Sequence, residues 1–264
     1  MLDMAGKLHV DMMFQERYIL NEVPMKLRLT RSKDAFCLDS PTNNAAFKVQ
    51  LTDVKFVVRR VQISTVVQQG HAKALEASNA KYPLTRGECK TILISAGTRS
   101  ATEENLYNGQ LPKRIVVGFI TNNALNGAYD ASPFHFQHFG MQHISLTVDG
   151  KHVPMKPLKA DFASGDYINC YLSLFTGLNA FHHDKGNAIS RDEYKSGYSL
   201  VAFNLTPDLE EAAGQTNLIR NGVVSLEVHF SAATTEAINL VVYGEFDNLV
   251  EIDRFREVMC DYTL

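Results

Sequence analysis

Polar and apolar residues alternate along much of this chain, and the last quarter shows the alternation most clearly. Within residues 223–230, Leu226, Val228 and Phe230 fall on one side, whereas Glu227 and His229 fall on the other. A period of two residues is typical of a β-strand with one buried face. We therefore predict that the first three side chains face a core and that the last two do not.

The same pattern predicts strands along most of the sequence. They are residues 8–14, 23–29, 47–51, 54–63, 89–94, 114–120, 144–148, 151–155, 199–205, 223–230, 238–246 and 257–262. The alternation slips at Arg59 and Arg60, which predicts a β-bulge there. Asp149 and Gly150 form the strongest short turn signal and predict a hairpin between the flanking strands.

Only two helices are predicted, and both are short. One covers residues 66–79 behind the capping residues Ser64 and Thr65, and the other covers about residues 167–175. No helix long enough to cross a sheet recurs between strands, so parallel βαβ units are not expected. The predicted fold class is all-β, a sandwich with two short helices and long loops.

Composition narrows the function classes. At 264 residues and 45% hydrophobic content, the chain is long enough to bury one sizeable core. A net charge of −3 without long runs of one sign argues against a protein that coats nucleic acid. No apolar run reaches the length of a membrane span, and the N-terminus lacks a signal-peptide pattern. Four scattered cysteines indicate reduced thiols in an intracellular setting; they are Cys37, Cys89, Cys170 and Cys260.

Two groups of histidines are candidate metal ligands. His135, His138 and His143 lie in or just after a stretch rich in phenylalanine, and His182, His183 and Asp184 follow later. Neither group has the converging carboxylate or thiol spacing that a metal site needs. We interpret the first group as packed against aromatic rings and the second as a solvated loop, and we expect no metal and no cofactor.

Motifs for catalysis or phosphate binding are absent from the sequence. There is no G-x-S-x-G elbow, no G-x-G-x-x-G fingerprint and no Walker A loop. We therefore propose no catalytic and no cofactor-binding residue. Local basic clusters leave nucleic-acid contact as an open alternative to plain solvent exposure; they contain Arg28, Arg31, Lys33, Arg59 and Arg60.

Several segments together carry a family resemblance that covers nearly the whole chain. Residues 6–18, 31–38, 80–84, 109–114, 189–194, 203–208 and 243–253 are similar to a family of uncharacterised proteins in animal genomes. The order of residues 203–207, Asn217, 226–230 and 246–252 resembles the end of the major capsid proteins of double-jelly-roll DNA viruses. The resemblance includes their transposon relatives, the Polinton (Maverick) and adintovirus group. Residues 213–217 depart from it because a Pro-Ser-Gly turn is expected there.

The resemblance implies a jelly roll over residues 39–264, preceded in residues 1–38 by the last strand pair of a truncated first jelly roll. A strand-rich stretch of about 150–200 residues before Met1 is then expected. The implied function is structural, namely self-assembly into a shell, with copies of itself as a trimer or higher assembly and other capsid subunits as partners. The implied location is the virion or the host nucleus or cytoplasm, not a membrane. The alternative is a domesticated β-sandwich that binds a glycan or a partner protein through its loops; an enzyme comes third.

Overall fold

The computed structural model describes residues 3–41, 46–178, 180–181, 186–206 and 218–262. The chain divides into two compact units. The first unit consists of Met1–Thr30, Val49–Arg86 and Asp247–Leu264, and the second consists of Arg31–Lys48 and Gly87–Phe246. This division differs from the predicted boundary after residue 38, which stays a prediction.

Strands dominate the structure. They are β1 (Ala80–Ile94), β2 (Ser100–Gln110), β3 (Arg114–Thr121), β4 (Met141–Val148), β5 (Lys151–Lys159), β6 (Val201–Asn204), β7 (Asn221–Phe230), β8 (Ile238–Ile252) and β9 (Val258–Cys260). The helices are α1 (Asp34–Cys37), α2 (Thr65–Ala77), α3 (Asn122–Asn126), α4 (Ile168–Thr176) and α5 (Arg191–Gly197). No helix of the described ranges has both the length and the apolar character needed to cross a membrane.

The two helices predicted from the sequence are present as α2 and α4. Ser64 begins α2 as expected, because its hydroxyl accepts a hydrogen bond from the backbone N–H of Val67 at 3.4 Å. Helix α5 was not predicted, although Ser190 and Glu193 form a reciprocal capping box at its start. That Ser-x-x-Glu spacing is visible in the sequence and was the signal that could have found this helix.

The strand order is that of a jelly roll. One sheet has the order β1-β8-β3-β6, with β9 added beside β8, and the second sheet has the order β2-β7-β4-β5. Along the chain every connection between the first eight strands changes sheet except β4 to β5. This arrangement of eight antiparallel strands is the jelly roll found in viral capsid proteins, lectins and cupins. The prediction of an all-β sandwich is confirmed.

The apolar faces of the strands meet in the core of the second unit. Leu226, Val228 and Phe230 of β7 are 1–4% exposed, as the alternation predicted. Glu227 and His229 keep about two fifths of their side-chain surface exposed. Between β4 and β5, Asp149 and Gly150 both adopt positive φ, at 49° and 78°. A tight hairpin turn requires this conformation, so the predicted hairpin is confirmed.

The predicted strands before residue 64 do not form. Residues 8–14 contain a short 3-10 turn, Asp11–Met13, and residues 23–29 and 47–63 have no strand pairing. The strand pair expected in residues 1–38 and the bulge at Arg59 and Arg60 are therefore wrong for this structure. Alternation alone does not make a strand, because the backbone N–H and C=O groups also need a neighbouring strand as partner.

Part of the N-terminal segment packs within the first unit. Met12, Ile19, Leu20 and Val23 lie against a small buried cluster of Tyr82, Val250 and Ile252. The backbone N–H of Thr85 donates to the Asp11 carboxylate at 2.7 Å, and the Gln15 amide donates to the carbonyl of Pro83 at 2.7 Å. Eight other large apolar residues remain 39–81% exposed: Met4, Val10, Met13, Phe14, Tyr18, Met25, Leu27 and Leu29. The segment is thus only partly covered by its own unit.

Candidate functional site

The loop histidines pack against their surroundings. The His138 ring stacks on Phe162 with centroids 4.0 Å apart, and its Nδ1 accepts a hydrogen bond from the Gly140 N–H at 2.9 Å. Burial, with a smaller effect of Lys195, lowers the pKa of His138. The His135 ring lies so close to Gly197 that a Cβ there would stand 2.8 Å from Nδ1. The aromatic packing predicted for His138 is confirmed.

His143 belongs to a different cluster, on the outer face of the second sheet. It lies opposite His229 on β7, and the two rings stack with centroids 5.0 Å apart. Nε2 of His229 contacts the Glu227 carboxylate at 2.7 Å. Nε2 of His143 and Oγ of Ser145 are buried without a hydrogen-bond partner among the described residues. This face therefore holds two imidazole rings in contact. One carboxylate, that of Glu227, lies beside them and would offset positive charge on a protonated ring.

We expect acid to destabilise this cluster. Burial, followed by the neighbouring His229, lowers the pKa of His143, and Glu227, Lys159 and His152 also face it. A histidine whose pKa is lower in the folded state binds fewer protons there than in the unfolded chain. The stabilisation that neutral His143 contributes is therefore complete above the ordinary pKa of histidine. It is lost as the pH falls below that pKa.

Thermal unfolding between about pH 7.5 and about pH 5.5 measures this effect. The melting temperature should fall on acidification, and His143→Gln should reduce the fall. His71→Gln, on the exposed helix α2, is the matched control and should leave the pH dependence unchanged. An unchanged pH dependence in His143→Gln would contradict the assignment.

The structure adds no metal site to these positions. In the described part of the chain, no group of three or more histidine, cysteine, aspartate and glutamate side chains is arranged to hold a metal ion. His182, His183 and Asp184 lie outside the described residues. The expectation that the protein holds no metal stays a prediction, which elemental analysis of the purified chain tests.

The buried titratable groups are held in their neutral forms. Burial, with a smaller effect of Asp166, raises the pKa of the Cys170 thiol to about 12. Burial also raises the pKa of Tyr194, whose ring packs against Tyr167 and Tyr171. A neutral thiol is a poor nucleophile, so Cys170 is suited to packing and not to chemistry.

The basic residues singled out in the sequence are divided between the two units. Arg31 pairs with Asp34 at 3.0 Å, at the start of α1. Arg59 and Arg60 lie exposed in the first unit, within a stretch that forms no helix or strand. That stretch and the following helix also expose many large apolar side chains, each at 43–87%: Phe47, Leu51, Val54, Phe56, Val57, Val58, Val61, Val66 and Val67.

A cleft of about 190 Å³ opens between the two sheets of the second unit, beside the ends of β1 and β2. Its apolar walls are formed mainly by Ile92, Ile94, Ala101, Leu226 and Leu240. Glu103 of β2 also lines it. Strand β2 is the last strand on this side of its sheet, and among the described residues only β7 pairs with it. The sequence pattern did not reveal the cleft, because β2 itself was not predicted.

Comparison with known proteins gives one curated relative. The Caenorhabditis elegans protein "Uncharacterized protein F54H12.2" is 25% identical over 262 residues, which are 97% of this chain and 62% of that protein. The chain thus spans less than two thirds of the relative's length. No protein-family model matches the chain.

Among solved structures, the chain is similar to viral major capsid proteins at low identity. PBCV-1 VP54, fitted into a reconstruction of the virophage Sputnik, is 10% identical with a TM-score of 0.47, covering 76% of this chain and 55% of that one. The Sputnik virophage structure is 11% identical with a TM-score of 0.42, covering 69% and 39%. The mavirus major capsid protein is 16% identical with a TM-score of 0.35, covering 70% and 42%.

Proposed function

We propose that this protein is a structural, capsid-type protein that assembles with copies of itself. The observation that carries the proposal is the strand order, with β1-β8-β3-β6 facing β2-β7-β4-β5 around an apolar interior. Capsid proteins use this jelly roll as a building block. Lectins and cupins share this fold, so the fold by itself does not distinguish a capsid protein from a lectin or a cupin.

The interior and the surface favour assembly over ligand chemistry. The buried core of the described residues consists of aliphatic and aromatic side chains. Monomeric soluble proteins rarely expose large continuous apolar patches, whereas subunit contacts use them. Residues 51–67, all in the first unit, expose eight large apolar side chains within 17 residues, as a subunit contact would.

The chain also fits a part of a larger assembly unit. We propose that residues 39–264 correspond to a second jelly roll and that residues 1–38 follow a first one, as the sequence resemblance implies, although their described part forms no strand pair here. The 62% coverage of the nematode relative supports this, because the unmatched remainder leaves room for further structure. A glycan- or protein-binding sandwich is the alternative, and Ser95, Thr98 and Glu103 are among the polar residues of the described cleft that such a ligand would contact.

Sedimentation velocity and negative-stain electron microscopy of the purified chain test the proposal. We expect concentration-dependent oligomers that grow toward ordered particles. A chain that stays monomeric at every concentration would overturn it. Specific glycan binding by such a monomer would favour the alternative.

A further inference from the structure

The free edge of β2 has an unusual composition. Glu103 and Glu104 follow each other on this edge strand, and successive residues of a strand point to opposite faces of the sheet. Glu103 borders the apolar cleft, and Glu104 beside it is exposed. Paired glutamates repel a second β2, which protects the edge against pairing with its own copy. The same charges favour a basic strand.

A basic segment with the alternation of a strand occurs in the same sequence. In residues 54–63, Val54, Phe56 and Val58 alternate with other residues and lead directly into Arg59 and Arg60. All ten positions except Ile63 are exposed, and none pairs with a strand. Successive residues of a strand point to opposite faces, so an added strand would carry Arg59 on one face and Arg60 on the other. Val54, Phe56 and Val58 share a face with Arg60.

We propose that residues 54–63 of a second copy of this chain add as a strand to the free edge of β2. Arg59 and Arg60 meet Glu103 and Glu104, and the apolar face of the added strand covers the cleft between the sheets. Main-chain hydrogen bonds supply affinity in such strand addition, and the side chains select the partner. The inference rests on the proposed self-assembly and names one contact that produces it.

We assign the added strand to a second copy because each copy carries both the free edge of β2 and residues 54–63. These are two different surfaces of the same chain. A contact between two different surfaces of identical chains runs head to tail, and such contacts generate rings or extended arrays. Charge complementarity also makes the contact sensitive to salt, since exposed pairs are screened. Assembly through this contact should therefore weaken as ionic strength rises.

Charge reversal with a swap tests the contact in the full-length chain. Arg59→Glu with Arg60→Glu, and separately Glu103→Arg with Glu104→Arg, should each weaken association about tenfold or more in sedimentation experiments. Mixing the two double variants, or combining all four changes in one chain, should restore association. Lys151→Glu with Lys156→Glu on the exposed surface of β5 changes the net charge by the same amount as the arginine variant and should have no such effect. Unchanged melting temperatures show that the variants remain folded.

The outcomes separate this inference from the proposed function. If the chain associates but neither reversal weakens it, the strand contact is wrong while self-assembly stands. If the chain never associates, both are wrong. Restoration in the single four-change chain but not in the mixture would place the contact within one copy and overturn the assignment to a second copy.

Discussion

Val228→Asp should abolish cooperative unfolding of the jelly roll. Val228 is 1% exposed at the centre of β7, opposite Ile144 of β4 and Ala101 of β2. The substitution removes a packed aliphatic side chain and buries a carboxylate that has no partner there. A cost of more than about 4 kcal/mol is expected, which is a large part of the stability of an ordinary domain. Thermal unfolding followed by circular dichroism measures it.

The neighbouring residue supplies the matched control. Glu227 lies on the outer face, half exposed, and contacts His229. Glu227→Gln should cost less than about 1 kcal/mol, because exposed ion pairs contribute little. Equal effects of the two substitutions would mean that β7 does not present alternate faces to the core and to solvent.

Two strands that the sequence predicted well have both a strong alternation and a partner on each side. Strand β7 is flanked by β2 and β4, and β8 is flanked by β1 and β3. Each therefore satisfies its backbone groups and buries one continuous face. The turn at Asp149 and Gly150 was equally predictable, because positive φ is a local requirement that few residues meet.

Strand β2 shows what the pattern missed. Its sequence is largely polar, since an edge strand needs few apolar residues, and only Leu106 and Tyr107 are deeply buried. They are adjacent, so they conceal the period of two. Asn105, with a φ of 58°, marks an irregularity in the pairing between Glu103 and Tyr107. An irregular pairing shifts the faces of a strand and removes the alternation from the sequence.

The N-terminal third shows the opposite failure. Residues 8–14, 23–29 and 54–63 alternate well, yet none has a strand partner among the described residues. The pattern indicates what these segments would form beside a suitable edge, but it does not show that the edge is present. The candidate contact was predictable only in part. Arg59 and Arg60 were visible in the sequence as a basic cluster. Glu103 and Glu104 became candidates only because the structure places β2 at the end of its sheet.

Removing residues 1–30 should raise solubility and leave the jelly roll folded. The described part of this segment exposes eight large apolar side chains at 39–81%, and the buried core of the second unit contains none of them. Fully exposed side chains of this size each forfeit roughly 1.5–3 kcal/mol relative to burial, so the segment favours aggregation. The shortened chain should keep a cooperative melting transition and aggregate at a higher concentration, as light scattering measures.

The first unit should respond differently from the second. Removal of Met12, Ile19, Leu20 and Val23 uncovers the cluster of Tyr82, Val250 and Ile252. Hydrogen exchange should therefore become faster in residues 80–86 and 247–252 and remain slow in residues 221–230.

The position of the cut matters, because a cut after residue 38 would also remove α1. That helix belongs to the second unit, where Phe36 packs edge-on against Phe134 at 6.2 Å. A chain that begins at Asp39 should thus melt at a lower temperature than one that begins at Arg31. If removing residues 1–30 instead unfolds the whole chain, the N-terminal segment is part of the jelly-roll core, and its origin in a separate first jelly roll is wrong.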